Sequence, residues 1–407
     1  MKTKKKHFGQ SINIKKLSDA NALKRVQIAC EMLVGSGFFE LFDASETAYL
    51  VNSRFGAVKI KLAPSNGISA KQATEYEMAF KNLLNKNGVG TLAGSIMPLD
   101  LYLREGLTII RYIELRSKTN NPCNAILTSA FSPWIEKDKF YEKICFEIIR
   151  QFERFTMILS NWSSEIFLMN IDQLAVFSYI AGDNSVLCQS LKLPSENLTI
   201  DGSTRKIIAV GWPDFDGIPR YVFLTPTQLG ITENKDLKVQ VYIQVHALIR
   251  LQERLGIVPG IIHKAIYDAL VCKTPLFTVN SKSYLLAIYI FSKKVGYLKC
   301  DLISGKLIIR TFLFITNDGT PEGKKLNELT KLAKLDKMYL KIDSLEGFLG
   351  LNISESACLQ QIFSVSGCSD LLDLTILKPF YRYGIAYRSN KELLKYLVIT
   401  GNKLGYV

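Results

Sequence analysis

The chain has 407 residues, of which 48% are apolar, 11% aromatic and 22% charged, with a formal net charge of +14. This composition excludes a disordered or collagen-like chain and, at roughly 100–200 residues per domain, supplies core material for several domains. Eight scattered cysteines with no CxxC pair, beside only His7, His246 and His263, argue against a Cys/His zinc site and for reduced thiols, so a cytoplasmic location is expected.

The basic N-terminus is followed by no apolar run of the signal-peptide kind, and no stretch approaches the roughly 18 apolar residues of a membrane span, so no membrane partner is expected. Residues 18–34 read as a helix with apolar positions at Leu23, Val26, Ala29, Cys30 and Leu33, ended by Gly35 and Gly37. Strands are expected around 38–42, 48–51 and 57–62, then a helix over 70–85 stopped by Asn87-Gly88, then a strand over 107–115. Residues 117–133 read as a polar connection, followed by a helix over 136–159 and another over 171–180. Strands over 206–210 and 220–224 flank a long hairpin loop at 211–217.

From residue 239 the pattern sharpens. Residues 246–255 form an amphipathic helix closed by Gly256, Pro259-Gly260 opens a second helix, and strand-like runs follow at 284–291, 295–301 and 307–316. A charged helix over 322–337 leads into a mixed tail. The expected architecture is multi-domain α+β, divided as 1–120, 121–234, 235–320 and 321–407, with two helices and an antiparallel sheet in the third part.

Positive charge is uneven. Residues 1–25 carry +7, 273–310 carry +6 and 378–395 carry +4, leaving the rest of the chain at −3. Local excess of this kind suits a polyanion, nucleic acid above all, although a lysine-rich soluble surface has the same signature. Lys282, Lys293, Lys294, Lys299 and Arg310 could line a phosphate track or simply guard strand edges. Arg382 and Arg388, interleaved with Tyr381, Tyr383 and Tyr387, could stack on bases and pair with phosphates, or belong to a core rim. Asp214 and Asp216 suggest an Asx turn more than a cation seat, and Gly88, Gly90 and Gly94 lack the preceding strand that a dinucleotide loop needs.

The sharpest constellation is His246, Arg250 and Arg254, spaced by four so that a helix stacks them on one drifting face. A proton-shuttling imidazole beside two permanent cations suits cleavage of a phosphodiester by an adjacent hydroxyl. A solvated basic helix face, with Glu253 pairing its arginines, accounts for the same residues without chemistry.

The run His246-Ala247-x-x-Arg250-x-x-x-Arg254-x-Gly256, leading through a second helix into an antiparallel sheet that ends at Thr316, resembles the small RelE-like and barnase-like bacterial ribonuclease toxins. The resemblance covers about 80 residues of the chain. It implies an RNA substrate and metal-independent endoribonuclease activity with no cofactor. His246 would be the acid or base, Arg250 and Arg254 would hold phosphate, and Thr316 would assist by hydrogen bonding. A non-enzymatic nucleic-acid-binding module and an intracellular protein-interaction protein are the alternatives.

Overall fold

The computed structural model describes residues 7–63, 68–118, 122–136, 140–176, 184–214, 218–230, 238–272, 274–280, 282–351, 353, 356–374 and 377. The chain forms a mixed α+β structure in two compact units, one of residues 1–155 and 168–190, the other of 156–167 and 191–407. No helix among the described residues is long and apolar enough to cross a membrane.

The first unit is mainly helical. It comprises α1 (His7–Val34), α2 (Ala44–Asn52), β1 (Lys59–Leu62), α3 (Ala70–Lys86), β2 (Gly88–Gly90), β3 (Ile96–Pro98), α4 (Leu99–Leu101), a π-helical turn at Tyr102–Gly106, α5 (Leu107–Arg116), α6 (Pro122–Ile135) and most of α7 (Phe140–Leu159). β1 pairs in parallel with β5 (Ser185–Leu191), which neighbours β4 (Ile166–Gln173).

Several strand expectations fail here for identifiable reasons. Residues 39–41 form a 3-10 turn, and 48–51 lie in α2, which starts where Asp43 accepts the Glu46 amide while the Glu46 carboxylate receives the Asp43 amide in a reciprocal cap. The β-branched run 107–115 is α5, since Ile109, Ile110 and Ile113 are buried at helical rather than alternating spacing. The 117–133 connection contains α6, and the helix expected over 171–180 begins as β4 instead, with 177–180 outside the described residues.

An ionic cluster lies inside this unit. Arg25 grips the fully buried Glu105 with two bonds of 2.9 Å and also reaches Asp100 at 3.0 Å, while Arg54 stands 3.5 Å from Glu105. The π-helical turn supplies Glu105, and the widened backbone there places it opposite α1.

The second unit is built on one sheet, ordered β12-β13-β14-β15-β11-β7-β6. In chain order the strands of this unit are β6 (Ser195–Ile200), β7 (Ser203–Ala209), β8 (Gly211–Pro213), β9 (Pro219–Tyr221), β10 (Phe223–Leu224), β11 (Val239–Gln244), β12 (Leu276–Asn280), β13 (Ser283–Ile290), β14 (Lys293–Ile303) and β15 (Lys306–Phe314). β8 and β9 form a separate hairpin, and β10 joins β11. Every pairing in the main sheet is antiparallel except β11 with β15.

Helices α8 (Val245–Leu255) and α9 (Pro259–Val271) connect β11 to β12 and cover one face of the sheet. Ala247, Leu248, Leu251 and Leu255 of α8 meet Val241 and Ile243 of β11 and Leu307 and Ile309 of β15 in the main core. That core also takes in side chains from α10 (Pro321–Thr330), α12 (Leu345–Leu349) and α13 (Ala357–Val365), and Leu332 and Leu340 on either side of α11 (Lys334–Tyr339). Residues 235–320 thus share one sheet with β6 and β7 and one core with the helices that follow.

Gly260 lets α9 start hard against the chain leaving α7, because a Cβ there would stand 2.0 Å from the Met157 carbonyl oxygen. His263 one turn later is buried, not at the surface. Its Nδ1 accepts the Trp162 amide at 3.2 Å and its ring stacks on the indole at 4.5 Å. Burial pushes this imidazole down to about 3, so it is neutral across the ordinary pH range.

Candidate functional site

An open depression of about 430 Å³ lies on the sheet beside the start of α8. It is lined by Asp201, Arg205, Gln244, His246, Lys299, Asp301, Arg310 and Thr311, which come from the β6–β7 turn, β7, β11, α8, β14 and β15. Four of these side chains carry or can carry positive charge. We call this depression the basin.

Local structure explains each position. Asp201-Gly202, with φ of 50° and 73°, makes the two-residue turn of the β6–β7 hairpin and lifts Asp201 to the rim. Arg310 and Thr311 are neighbours that a regular strand would send to opposite faces. Both reach the basin because β14 and β15 change register here: Lys299 pairs with Thr311 but Cys300 pairs with Ile309, so Arg310 is the extra residue of a bulge. Bulges of this kind re-aim side chains.

Arg310 donates to Asp301 at 3.0 Å and to Asp201 at 2.7 Å, and Asp301 also accepts the Ser283 hydroxyl at 2.6 Å. The Arg310 hydrogen bond, its charge, and the further charges of Arg205 and Lys299 hold the Asp201 carboxyl below the usual carboxylate range. Arg205, His246 and Lys299 remain exposed around the rim.

The expected catalytic set is only partly brought together. His246, Arg250 and Arg254 do follow one side of α8, but they serve different places. His246 opens on the basin, Arg250 pairs with Glu253 at 2.8 Å in solvent, and Arg254 forms an ion pair with Asp343. Arg254 belongs to a second depression, with Glu253, Met338, Lys341, Asp343, Ser344, Glu346 and Gly347, whose charged groups are net acidic.

Thr316 does not join them. Its side chain is fully buried and donates to the Ile342 carbonyl at 2.7 Å. Its own carbonyl accepts from the buried ammonium of Lys337, which also meets the Gly323 carbonyl and Asp318. The last turn of the meander is therefore tied to α11, and Thr316 has no hydroxyl to offer a ligand. The toxin-like arrangement of four converging residues is not assembled.

The supporting cations also divide. Lys299 and Arg310 line the basin, whereas Lys282 is exposed at the β12–β13 turn. Lys293 pairs with Asp373 at 3.2 Å. Lys294 is committed to Glu322 at 2.6 Å and to the Tyr297 hydroxyl, above whose ring it also sits. Burial opposes its charge, but these hydrogen bonds outweigh that and raise its pKa. Arg382 and Arg388, with their tyrosines, lie outside the described residues, as does Asp216; Asp214 pairs with Arg220 at 3.0 Å.

Among the described residues no three His, Cys, Asp or Glu side chains are grouped so as to hold a metal ion. Arg205, Gln244, Asp201, Asp301 and Thr311 are the basin residues that the sequence reading missed. The Asp-Gly turn was a usable signal for the β6–β7 hairpin; the bulge left none. Compared with protein-family profiles, with curated proteins and with solved structures, the chain matches none of them.

Proposed function

We propose that this chain binds nucleic acid, RNA in the first place, through backbone phosphates drawn to the basin on the second unit. The observation that carries the reading is the convergence of Arg205, His246, Lys299 and Arg310 from four separate elements on one open depression. Exposed guanidinium and ammonium groups beside an open surface exchange bound counterions for phosphates, which favours binding with little sequence preference. Binding, rather than cleavage, is the form taken here, because Arg254 and Thr316 are engaged away from His246.

The test is fluorescence anisotropy of a labelled single-stranded RNA in EDTA over a range of salt, with the RNA recovered and sized afterwards. Affinity should fall steeply with salt. In an Arg205→Glu/Lys299→Glu variant it should drop at least about tenfold, with the log–log salt slope shallower by about 1.4 for two lost phosphate contacts. Affinity indifferent to salt or to the double reversal would remove the basin from this role. Metal-free cleavage abolished by His246→Ala would turn the reading into an enzymatic one.

A further inference from the structure

Two side chains that line the basin each bury a donor nitrogen with no acceptor among the described residues. Gln244 is 4% exposed, and its Nε2 has no acceptor among the described residues. The Nε of Arg310 is buried and equally unpartnered, although both terminal nitrogens of that guanidinium are held by carboxylates. A buried donor left unpaired is destabilising and rare in folded proteins, so two on residues lining one depression are unusual for a purely structural surface.

Their surroundings define what is missing. Gln244 is the N-cap residue of α8, and its side chain makes no capping hydrogen bond. The uncapped first turn, with its outward amides and positive dipole end, therefore begins at the basin wall beside Gln244 and His246. The Thr311 hydroxyl adds a further donor, while Arg205 and Lys299 add charge. Of the two carboxylates, Asp301 already accepts from Ser283 and Arg310, and Asp201 stands 80% exposed at the rim. The unpartnered groups at the basin are donors, so what the site lacks is acceptor oxygens.

We infer that the basin seats one phosphate group, which accepts from Gln244 Nε2, Arg310 Nε and the first turn of α8 while Arg205 and Lys299 balance its charge. This deepens the nucleic-acid reading and rests on it for the source of the phosphate, an RNA strand; a free phosphate compound shares the same chemistry. The seat differs from a diffuse basic surface in being saturable by a single small anion and in depending on an uncharged residue, Gln244.

The experiment uses the full chain and inorganic phosphate as the probe, at constant ionic strength set by chloride. Titration calorimetry and thermal melts are recorded for the unaltered protein, Gln244→Leu and Arg205→Ala. Phosphate should bind saturably, raise the melting temperature by a few degrees and displace labelled RNA. Gln244→Leu, which exchanges the unpaired amide for an apolar group of similar size, should melt no lower without phosphate yet bind it at least tenfold more weakly. Arg205→Ala, on an exposed side chain, should weaken binding by a comparable factor and keeps the test valid should the leucine variant fail to fold. Phosphate binding lost in the variants without any RNA binding supports the seat, assigns it to a free phosphate compound and removes the RNA reading. Salt-dependent RNA binding with which phosphate does not compete, or phosphate binding equal in all three proteins, overturns the seat.

Discussion

His263 makes stability in mild acid a direct test of the second unit's packing. In the folded chain the imidazole is buried against Trp162 and titrates at about 3, whereas in the unfolded chain it returns to the ordinary 6.5. Between those values the unfolded state binds the extra proton. The associated stability is therefore complete above about pH 6.5 and is lost as the pH falls towards 3. From pH 7 to pH 5 the loss is about one and a half pH units at 1.36 kcal/mol each, or about 2 kcal/mol. Few carboxylates titrate in that window, which isolates the histidine.

The comparison is urea unfolding of the parent and of His263→Phe at pH 7 and pH 5, followed by tryptophan fluorescence. The phenyl ring keeps an aromatic face for Trp162 but leaves its amide without an acceptor, so the variant should be weaker by about 1–3 kcal/mol at pH 7. By pH 5 that gap should have narrowed by about 2 kcal/mol, since only the parent loses stability there. An NMR titration of the imidazole with a midpoint near 6.5 in the folded protein, or parallel pH dependence of the two proteins, would refute the buried placement.

Two further expectations concern groups with structural rather than binding work. Thr316→Val should cost about 1–2 kcal/mol in chemical denaturation, because the Ile342 carbonyl loses its hydroxyl donor. RNA affinity should not change; an affinity loss beyond twofold would return Thr316 to the site. Glu105→Gln removes the buried carboxylate that Arg25 and Arg54 share and should destabilise the first unit by about 3 kcal/mol or more, measured the same way. A change below about 1 kcal/mol would mean that the cluster is solvated in solution.

How much of this was legible in the sequence depends on the range of the forces involved. The segments 246–255, 284–291, 295–301 and 307–316 were read to within a few residues of α8, β13, β14 and β15. Their apolar periodicity is strong and is punctuated by Gly256, Ser304 and Gly305. The α5 run was misread because Thr108, Ile109, Ile110 and Ile113 favour strands intrinsically, and packing against α6 and the π-helical turn overrode that preference. The placement of His246, Arg250 and Arg254 on one helical side was correct, being a matter of 3.6 residues per turn.

What that side faces was a different question. Gly260 and Lys337 show why: their roles depend on a carbonyl oxygen at Met157 and on three acceptors around 316–323, partners that no spacing rule connects to them. The basin depends on a hairpin turn at 201, a strand end at 244 and a bulge at 310, which meet only once the sheet has assembled in the order 14-15-11-7. Composition, charge clustering and local periodicity by themselves determined that the chain is α+β, basic in patches, and carries His246 at the head of an amphipathic helix. Tertiary structure alone decided that His246 keeps company with Arg205, Lys299 and Arg310 rather than with Arg254 and Thr316. Strand register and bulges select partners across a hundred residues of chain, whereas sequence periodicity reports only which side of an element is apolar.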